Sequence, residues 1–229
     1  MAGCSQGPVP SDSIFDPFED VNRATHEFNK LADTVVLRPA ALVYGVSVPE
    51  PVQDIVDNTV NNLALPGQAV NHLLQGDLDS MFITVGRFAL NSTIGIAGLM
   101  DPATDLGLMS LPTDFGETMG FWGVPEGPYV ELPFFGPSTT RDTAGMFVDF
   151  AIDPLRQFFP SPQREYLFVL KGVDIVGDRH AYADLVDILL YESADSYAAQ
   201  RLTYLQNKRR TISGETNVED LEDPYAFEY

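Results

Sequence analysis

Val52-Gln53-Asp54-Ile55-Val56-Asp57-Asn58-Thr59-Val60-Asn61-Asn62-Leu63 is the stretch that decides how this chain is read. Val52, Ile55, Val56, Val60 and Leu63 recur at helical spacing, while Asp54, Asp57, Asn58, Asn61 and Asn62 take the other faces. That pattern specifies an amphipathic helix. Pro49 and Pro51 bound it on one side, and Pro66 is expected to interrupt it on the other, because proline has no N–H for the helical ladder. Ala69, Val70, Leu73 and Leu74 then read as a second short helix that Gly76 stops.

Working outward, Asp77 is placed to cap a further helix. Its apolar positions are Leu78, Met81, Phe82, Val85, Phe88 and Ala89, with Ile83 and Leu90 broadening the stripe. Arg87 is the only charge between Met81 and Met100. That length approaches the roughly 20 residues of a membrane span. Arg87 lies well inside it, however, and Gly86, Asn91, Ser92, Thr93, Gly95 and Gly98 dilute it, so a span is rejected. A core helix and a helix lying in one leaflet share this periodicity, which does not choose between them. Towards the N-terminus, Asp16-Pro17-Phe18-Glu19-Asp20 resembles a helix entry. A helix over 22–33 would gather Val21, Ala24, Phe28, Leu31 and Ala32 on one side. Pro39 is expected to limit it by pushing Arg38 into extended geometry.

Between 101 and 140 the chain is rich in proline and glycine turns. Residues 117–123 and 128–135 are expected to pair as two short strands around a turn at 124–127. Phe115, Phe121, Trp122, Tyr129, Phe134 and Phe135 crowd this region. They suit either an ordinary hairpin packed on helices or a mobile aromatic hairpin. Residues 153–162 form a broken apolar stretch, and helices are expected over 165–176, 181–191 and 193–210. Asp195 is a candidate cap for the last, and Lys208-Arg209-Arg210 a solvated terminus suited to the helix dipole. The expectation is an all-α fold with one small β-hairpin. It comprises a flexible tether (1–13), one helical domain (14–210) and an acidic, disordered tail (211–229).

The 229 residues are 45% hydrophobic, enough for one core or for a core plus a membrane-facing surface. With 13 basic and 33 acidic side chains the net charge is −20. A field of that sign repels nucleic acid and anionic bilayers, so membrane contact must come from apolar burial. Cys4 is the single cysteine, and His26, His72 and His180 are scattered; neither an internal disulfide nor a metal site is expected. No hydrolase elbow, phosphate-binding loop or dinucleotide fingerprint is present. Carboxylate pairs such as Glu19/Asp20 and Asp54/Asp57 read as solvated helix faces. No catalytic residue and no cofactor is expected, and binding is favoured over catalysis. Ala2-Gly3-Cys4 is compatible with the end of a bacterial lipobox or with an unmodified exposed thiol. If Cys4 is lipidated, the Ser5 that follows it implies sorting to the outer membrane.

Several motifs, in order, resemble the VacJ/MlaA family of outer-membrane lipoproteins. Asp16-Pro17-Phe18-Glu19 with Val21-Asn22-Arg23 and Phe28-Asn29 is similar to its opening signature, and Leu37-Arg38-Pro39 to its Arg-Pro element. Asn61-Asn62-Leu63, Val70-Asn71 and Leu74-Gln75-Gly76-Asp77 resemble a second block; Arg87-Phe88, Leu90-Asn91-Ser92-Thr93 and Asp101 resemble a third. Phe115-Gly116 through Arg141-Asp142 is the most specific run, and Ser193 to Tyr204 fits the last helix. The resemblance implies a helical ring with a central amphipathic channel, lipid-anchored through Cys4 at the periplasmic face and embedded in the inner leaflet of the outer membrane. It implies removal of phospholipid from the outer leaflet, preserving lipid asymmetry, with a trimeric porin and a soluble periplasmic lipid carrier as partners. Bound phospholipid or detergent would be the only small molecule. Candidate channel or motif residues are Asn22, Arg23, Phe28, Asn29, Arg38, Arg87, Asn91 and Lys171. Gly123, Pro125 and Gly127 would form a hairpin hinge, which Pro125 stiffens. The competing expectation is a soluble periplasmic binding or scaffold protein without a channel.

Overall fold

The computed structural model describes residues 14–152 and 163–213. The tether with Cys4, the stretch 153–162 and most of the acidic tail lie outside the described residues.

Helix α1 (Glu19–Ala32) runs through a widened π-type turn (Asp33–Leu37) directly into α2 (Arg38–Ser47). Pro39 therefore does not end the helix, and Arg38 is helical at φ −61° and ψ −48° rather than extended. In the widened turn the Arg38 N–H reaches back to Asp33 O. Pro39 follows directly on this widened turn, where the regular i→i−4 ladder is already interrupted. Helix α3 (Glu50–Gln75) likewise passes through Pro66, so the expected pair of helices is one. An interior proline costs about 3 kcal/mol; here polar contacts clamp the helix on both sides of it. Asn62 donates to Ser92 at 3.2 Å, Asn71 to Asp149 at 2.9 Å, and Gln75 to Thr113 and Thr118 at 2.8 and 2.9 Å. Gly76, left-handed at φ 79°, ends α3 as expected. Asp77 accepts the Ser80 N–H at 3.0 Å to start α4 (Leu78–Thr93).

The short α5 (Pro102–Asp105) leads to α6 (Phe115–Phe121), started by Asp114 accepting the Glu117 N–H at 2.8 Å. The hairpin is therefore not the one expected. Residues 117–123 are mostly helical, and β1 (Tyr129–Leu132) pairs antiparallel with β2 (Gly136–Thr139), Leu132 facing Gly136. Gly123, Pro125 and Gly127 belong to the connection between α6 and β1, not to the hairpin turn. The Asp114 cap draws 115–121 into a helix, and the contacts of Asn22 and Asn29 from α1 hold the hairpin at 129–139. Helices α7 (Thr140–Ile152), α8 (Gln163–Ala181), α9 (Ala183–Asp187), a second widened turn (Ile188–Glu192) and α10 (Ser196–Ser213) follow among the described residues. Asp195 accepts the Ala198 N–H at 3.0 Å at the start of α10. Helix α3 packs on α4 and α8, α2 on α8, α6 on α7, and α1 on β1.

The distribution of side chains is inverted. Among the described residues the buried apolar side chains are Ala41, Leu65, Ala103, Tyr129, Tyr197 and Leu205. Asn22, His26, Asp33, Asn62, Asn71, Arg87, Asn91, Glu117, Glu131 and Arg179 are as deeply buried. The apolar stripe of α1 faces outward, with Val21 66% and Leu31 61% exposed, while Asn22 and His26 on the opposite side are 3% and 1% exposed. Val46, Phe82, Ile94, Phe134, Phe147 and Phe168 are also exposed. Such extensive exposed apolar surface marks contact with lipid or protein. No helix among the described residues is long and apolar enough to cross a membrane.

Candidate functional site

Asn22 and Asn29 lie two turns apart on one side of α1 and hold β1 as a neighbouring strand would. Asn22 Nδ2 donates to Tyr129 O at 3.1 Å and to Asp16 at 2.8 Å, and its Oδ1 accepts the Glu131 N–H at 2.9 Å. Asn29 Nδ2 donates to Leu132 O at 3.0 Å, while its Oδ1 accepts the Phe134 N–H at 2.8 Å. An amide side chain offers the donor and acceptor that a strand edge needs. Phe134, at φ 66°, sits edge-on to Phe28 with ring centroids 5.1 Å apart. The hairpin tip is thus pinned to α1 by one amide and one aromatic contact, both through residues singled out in the sequence.

Behind this latch lies a buried polar network. His26 Nε2 is 2.9 Å from Ser196 Oγ, and its Nδ1 is 3.5 Å from Glu131 Oε1. Tyr129 donates to Glu131, and Tyr197 and Arg201 both donate to Asp16. Arg23 pairs with Glu19 at 2.8 Å and forks onto Asp195 at 3.1 and 2.9 Å. The bonds from Arg23 hold the Asp195 carboxyl down to about 2. Arg38 reaches Asp187 at 2.5 Å, and Arg179 bridges Asp187 at 2.6 Å to Asp33 at 2.8 Å, which fixes the widened turn against α8.

A second polar region opens between α3, α4 and α5. There a cavity of about 230 Å³ is lined by Asn62, Gln68, Arg87, Asn91 and Asp101, among others. Arg87 donates to Asp101 at 2.7 Å, to Thr104 at 3.1 Å, and to Leu108 O; Asn91 donates to Asp101 at 2.8 Å and accepts the Ala103 N–H at 3.1 Å. Burial alone would push Asp101 up, but bonds from Thr104, Asn91 and Arg87 outweigh it and hold the carboxyl below its usual range. Asp57 also lines the cavity. Nearby on α8, Asp174 is pushed up to about 6 by burial and then by Asp178 and Asp57.

Lys171 is exposed on α8 and makes no ion pair among the described residues. Gly123 and Gly127 adopt positive φ, 83° and 70°, and a Cβ at Gly127 would meet Thr140 Oγ1 at 2.2 Å. Between them Glu126 is stapled to Arg209 of α10 at 2.5 and 3.1 Å. Lys208 pairs with Asp114 and, at 2.9 Å, with Glu117. Lys208 and Arg209 are therefore structural ties rather than a solvated terminus; only Arg210 of the triplet is exposed. Residue patterns had not pointed to Glu131, Asp142 or Glu117 as interior groups. An acid amid apolar strand residues at Glu131 was the available signal.

The geometry defines a class: a helical protein whose apolar faces turn outward around a polar interior. The sequence profile of the MlaA lipoprotein family matches residues 14–211. The chain is 32% identical to the intermembrane phospholipid transport system lipoprotein MlaA of Shigella flexneri, covering 99% of this chain and 89% of that protein. The protein of the same name from Escherichia coli strain K12 gives the same identity and coverage. An uncharacterized Rickettsia typhi protein is 32% identical over 87% of this chain and 78% of its own length. One solved chain, from a study of the structural basis for maintenance of bacterial outer membrane lipid asymmetry, superposes with a TM-score of 0.75 at 32% identity. It covers 86% of this chain and 98% of that one. The chain belongs to the MlaA lipoprotein family.

Proposed function

We propose that this protein carries phospholipid out of the outer leaflet of the outer membrane through a polar interior and hands it to a periplasmic carrier, so preserving lipid asymmetry. It would lie in the inner leaflet at the periplasmic face, anchored through Cys4 and seated beside a trimeric porin. The supporting observation is the inversion: Val21 and Leu31 outward, Asn22 and His26 inward, on the same helix. Water rewards the opposite arrangement, whereas a leaflet around α1 to α4 rewards this one. A protein of this kind is needed because a two-tailed lipid has on the order of 30 methylenes at about 0.8 kcal/mol each. Lifting it bare into water costs roughly 25 kcal/mol.

The channel candidates take roles from their contacts. Asn22, Phe28 and Asn29 position the aromatic hairpin, and Gly123, Pro125 and Gly127 set how far it swings from its Glu126 anchor. Lys171, exposed and without an ion pair among the described residues, is placed to meet a lipid phosphate. We assign no catalytic step to this site. Ser196, His26 and Glu131 stand in the order of a hydrolase triad, yet Ser196 is only 8% exposed, and none of the three lines the cavity between α3, α4 and α5. A soluble scaffold would leave this apolar exterior facing water with no compensation.

The test is mass spectrometry of the protein purified in mild detergent, with vesicle flotation of the same preparation. Intact co-purifying phospholipid and flotation of the unacylated protein are expected. A monodisperse, detergent-independent, lipid-free species would overturn the reading, and lyso-lipid products would redirect it to hydrolysis.

A further inference from the structure

The cavity between α3, α4 and α5 contains more hydrogen-bonding capacity than the protein uses. Asn62 and Arg87 line it and are 4% and 5% exposed. Asn62 Oδ1, Gln68 Oε1 and Arg87 Nε are buried and have no partner among the described residues. An unpaired buried polar atom costs about 1–3 kcal/mol, so three around one cavity point to an occupant that supplies two donors and one acceptor. Charge narrows its nature. Arg87 is the only base lining the cavity and is already matched by Asp101 at 2.7 Å. Asp57 is left over, and Asp174 and Asp178 reinforce its field. The space favours a cation that donates hydrogen bonds, beside a single site for an anionic oxygen.

We infer that this cavity seats a zwitterionic lipid headgroup in which a primary ammonium follows a phosphate ester. This rests on the lipid-transport reading and names its preferred substrate class. The ammonium has three donors for Asn62 Oδ1, Gln68 Oε1 and the Asp57 carboxylate, and a phosphate oxygen takes the Arg87 Nε–H. A trimethylated ammonium has the charge but no donor. A glycerol headgroup has donors but adds an uncompensated negative charge to a site already negative. At about 230 Å³ the cavity suits a headgroup and excludes the tails, which would remain in the apolar surroundings.

The test is competition on detergent-purified, delipidated full-length protein, read by native mass spectrometry. Equimolar dihexanoyl phospholipids with ethanolamine, choline and glycerol headgroups are supplied together. The ethanolamine lipid should be retained about tenfold over each of the others, the worth of one charge-assisted hydrogen bond. Asp57→Asn should bring the three towards parity, while Asp54→Asn, an exposed acid outside the cavity lining, should keep the preference. Glycerophosphoethanolamine, the same headgroup without tails, should displace the lipid only in large excess. If it binds as tightly as the lipid, the cavity serves a free phosphoethanolamine and the lipid seat is overturned; if it does not compete at all, the headgroup is read elsewhere. Equal retention of all three lipids by the unaltered protein overturns this inference and leaves lipid transport standing. Retention of none removes both. The competition on the unaltered protein decides the matter even if a variant fails to fold.

Discussion

Two polar interiors coexist in this molecule, and they are built differently. Around α1, β1 and α10, long-range bonds run from Asn22 to Tyr129, from His26 to Ser196 and from Arg201 to Asp16, and Tyr129, Tyr197 and Leu205 form a small apolar core beside them. Between α3 and α4, Arg87 and Asn91 are bonded on one side, while Arg87 Nε and Asn62 Oδ1, on residues that line a cavity, have no partner among the described residues. The first interior holds the fold, although His26 Nδ1 and Arg201 Nε there also have no hydrogen-bond partner among the described residues; in the second, the open groups Asn62 Oδ1, Gln68 Oε1 and Arg87 Nε belong to residues gathered around one cavity. Polar burial by itself does not mark a site. What marks it is incomplete polar burial gathered around a cavity large enough for a ligand.

The largest expected effect falls where the two interiors share a rule, that a buried charge must keep its partner. Arg87→Ala leaves Asp101 without its base and should lower stability by about 3–5 kcal/mol, read as the melting transition in detergent. An unchanged transition would show that the cavity wall does not depend on the pair. Next comes the first interior. Asn22→Ala removes both sides of the amide clamp on β1 and should cost about 2–3 kcal/mol from the stranded Tyr129 O and Glu131 N–H. Hydrogen exchange should rise first at 129–139. If exchange rises evenly across the chain, the two regions are not separable.

A third substitution tests the outside. Phe82→Ser on α4 removes an exposed aromatic side chain and should weaken vesicle binding by about tenfold, since a buried side chain of this size is worth about 1.5–3 kcal/mol. The melting transition should barely move. A loss of folding with no change in binding would mean that the outward stripe packs against protein after all.

The smallest effect is a pH slope. Asp174 is held up at about 6, against an ordinary carboxyl value of 3.8, by burial and by Asp178 and Asp57, with Lys171 opposing. The folded state therefore takes up a proton at a pH where the unfolded chain does not, and stability should rise as pH falls from 7 towards 4. Asp195, held down to about 2 by Arg23, acts in the opposite direction, and its contribution is lost only below about pH 4. Asp174→Asn should flatten the slope between pH 4 and 7 and leave the acid limb in place. A slope that survives the substitution would assign it to another group.

The sequence by itself determined where most helices start and stop and which side of each is apolar. Asp77, Asp195 and Gly76 act where their residue types predict, because capping is a local bond between neighbours. Only the tertiary structure decided what each side faces. A period of 3.6 residues separates oil from water but does not say which of them is outside; here the stripe of Val21 and Leu31 lies on the surface. The helices that run past Pro39 and through Pro66, and the placement of the hairpin at 129–139, were settled by partners far along the chain, such as Asn71 to Asp149 and Asn22 to Tyr129. Local preferences worth a few kcal/mol at most were overruled by several such bonds acting together, and those pairings leave no trace in the order of neighbouring residues.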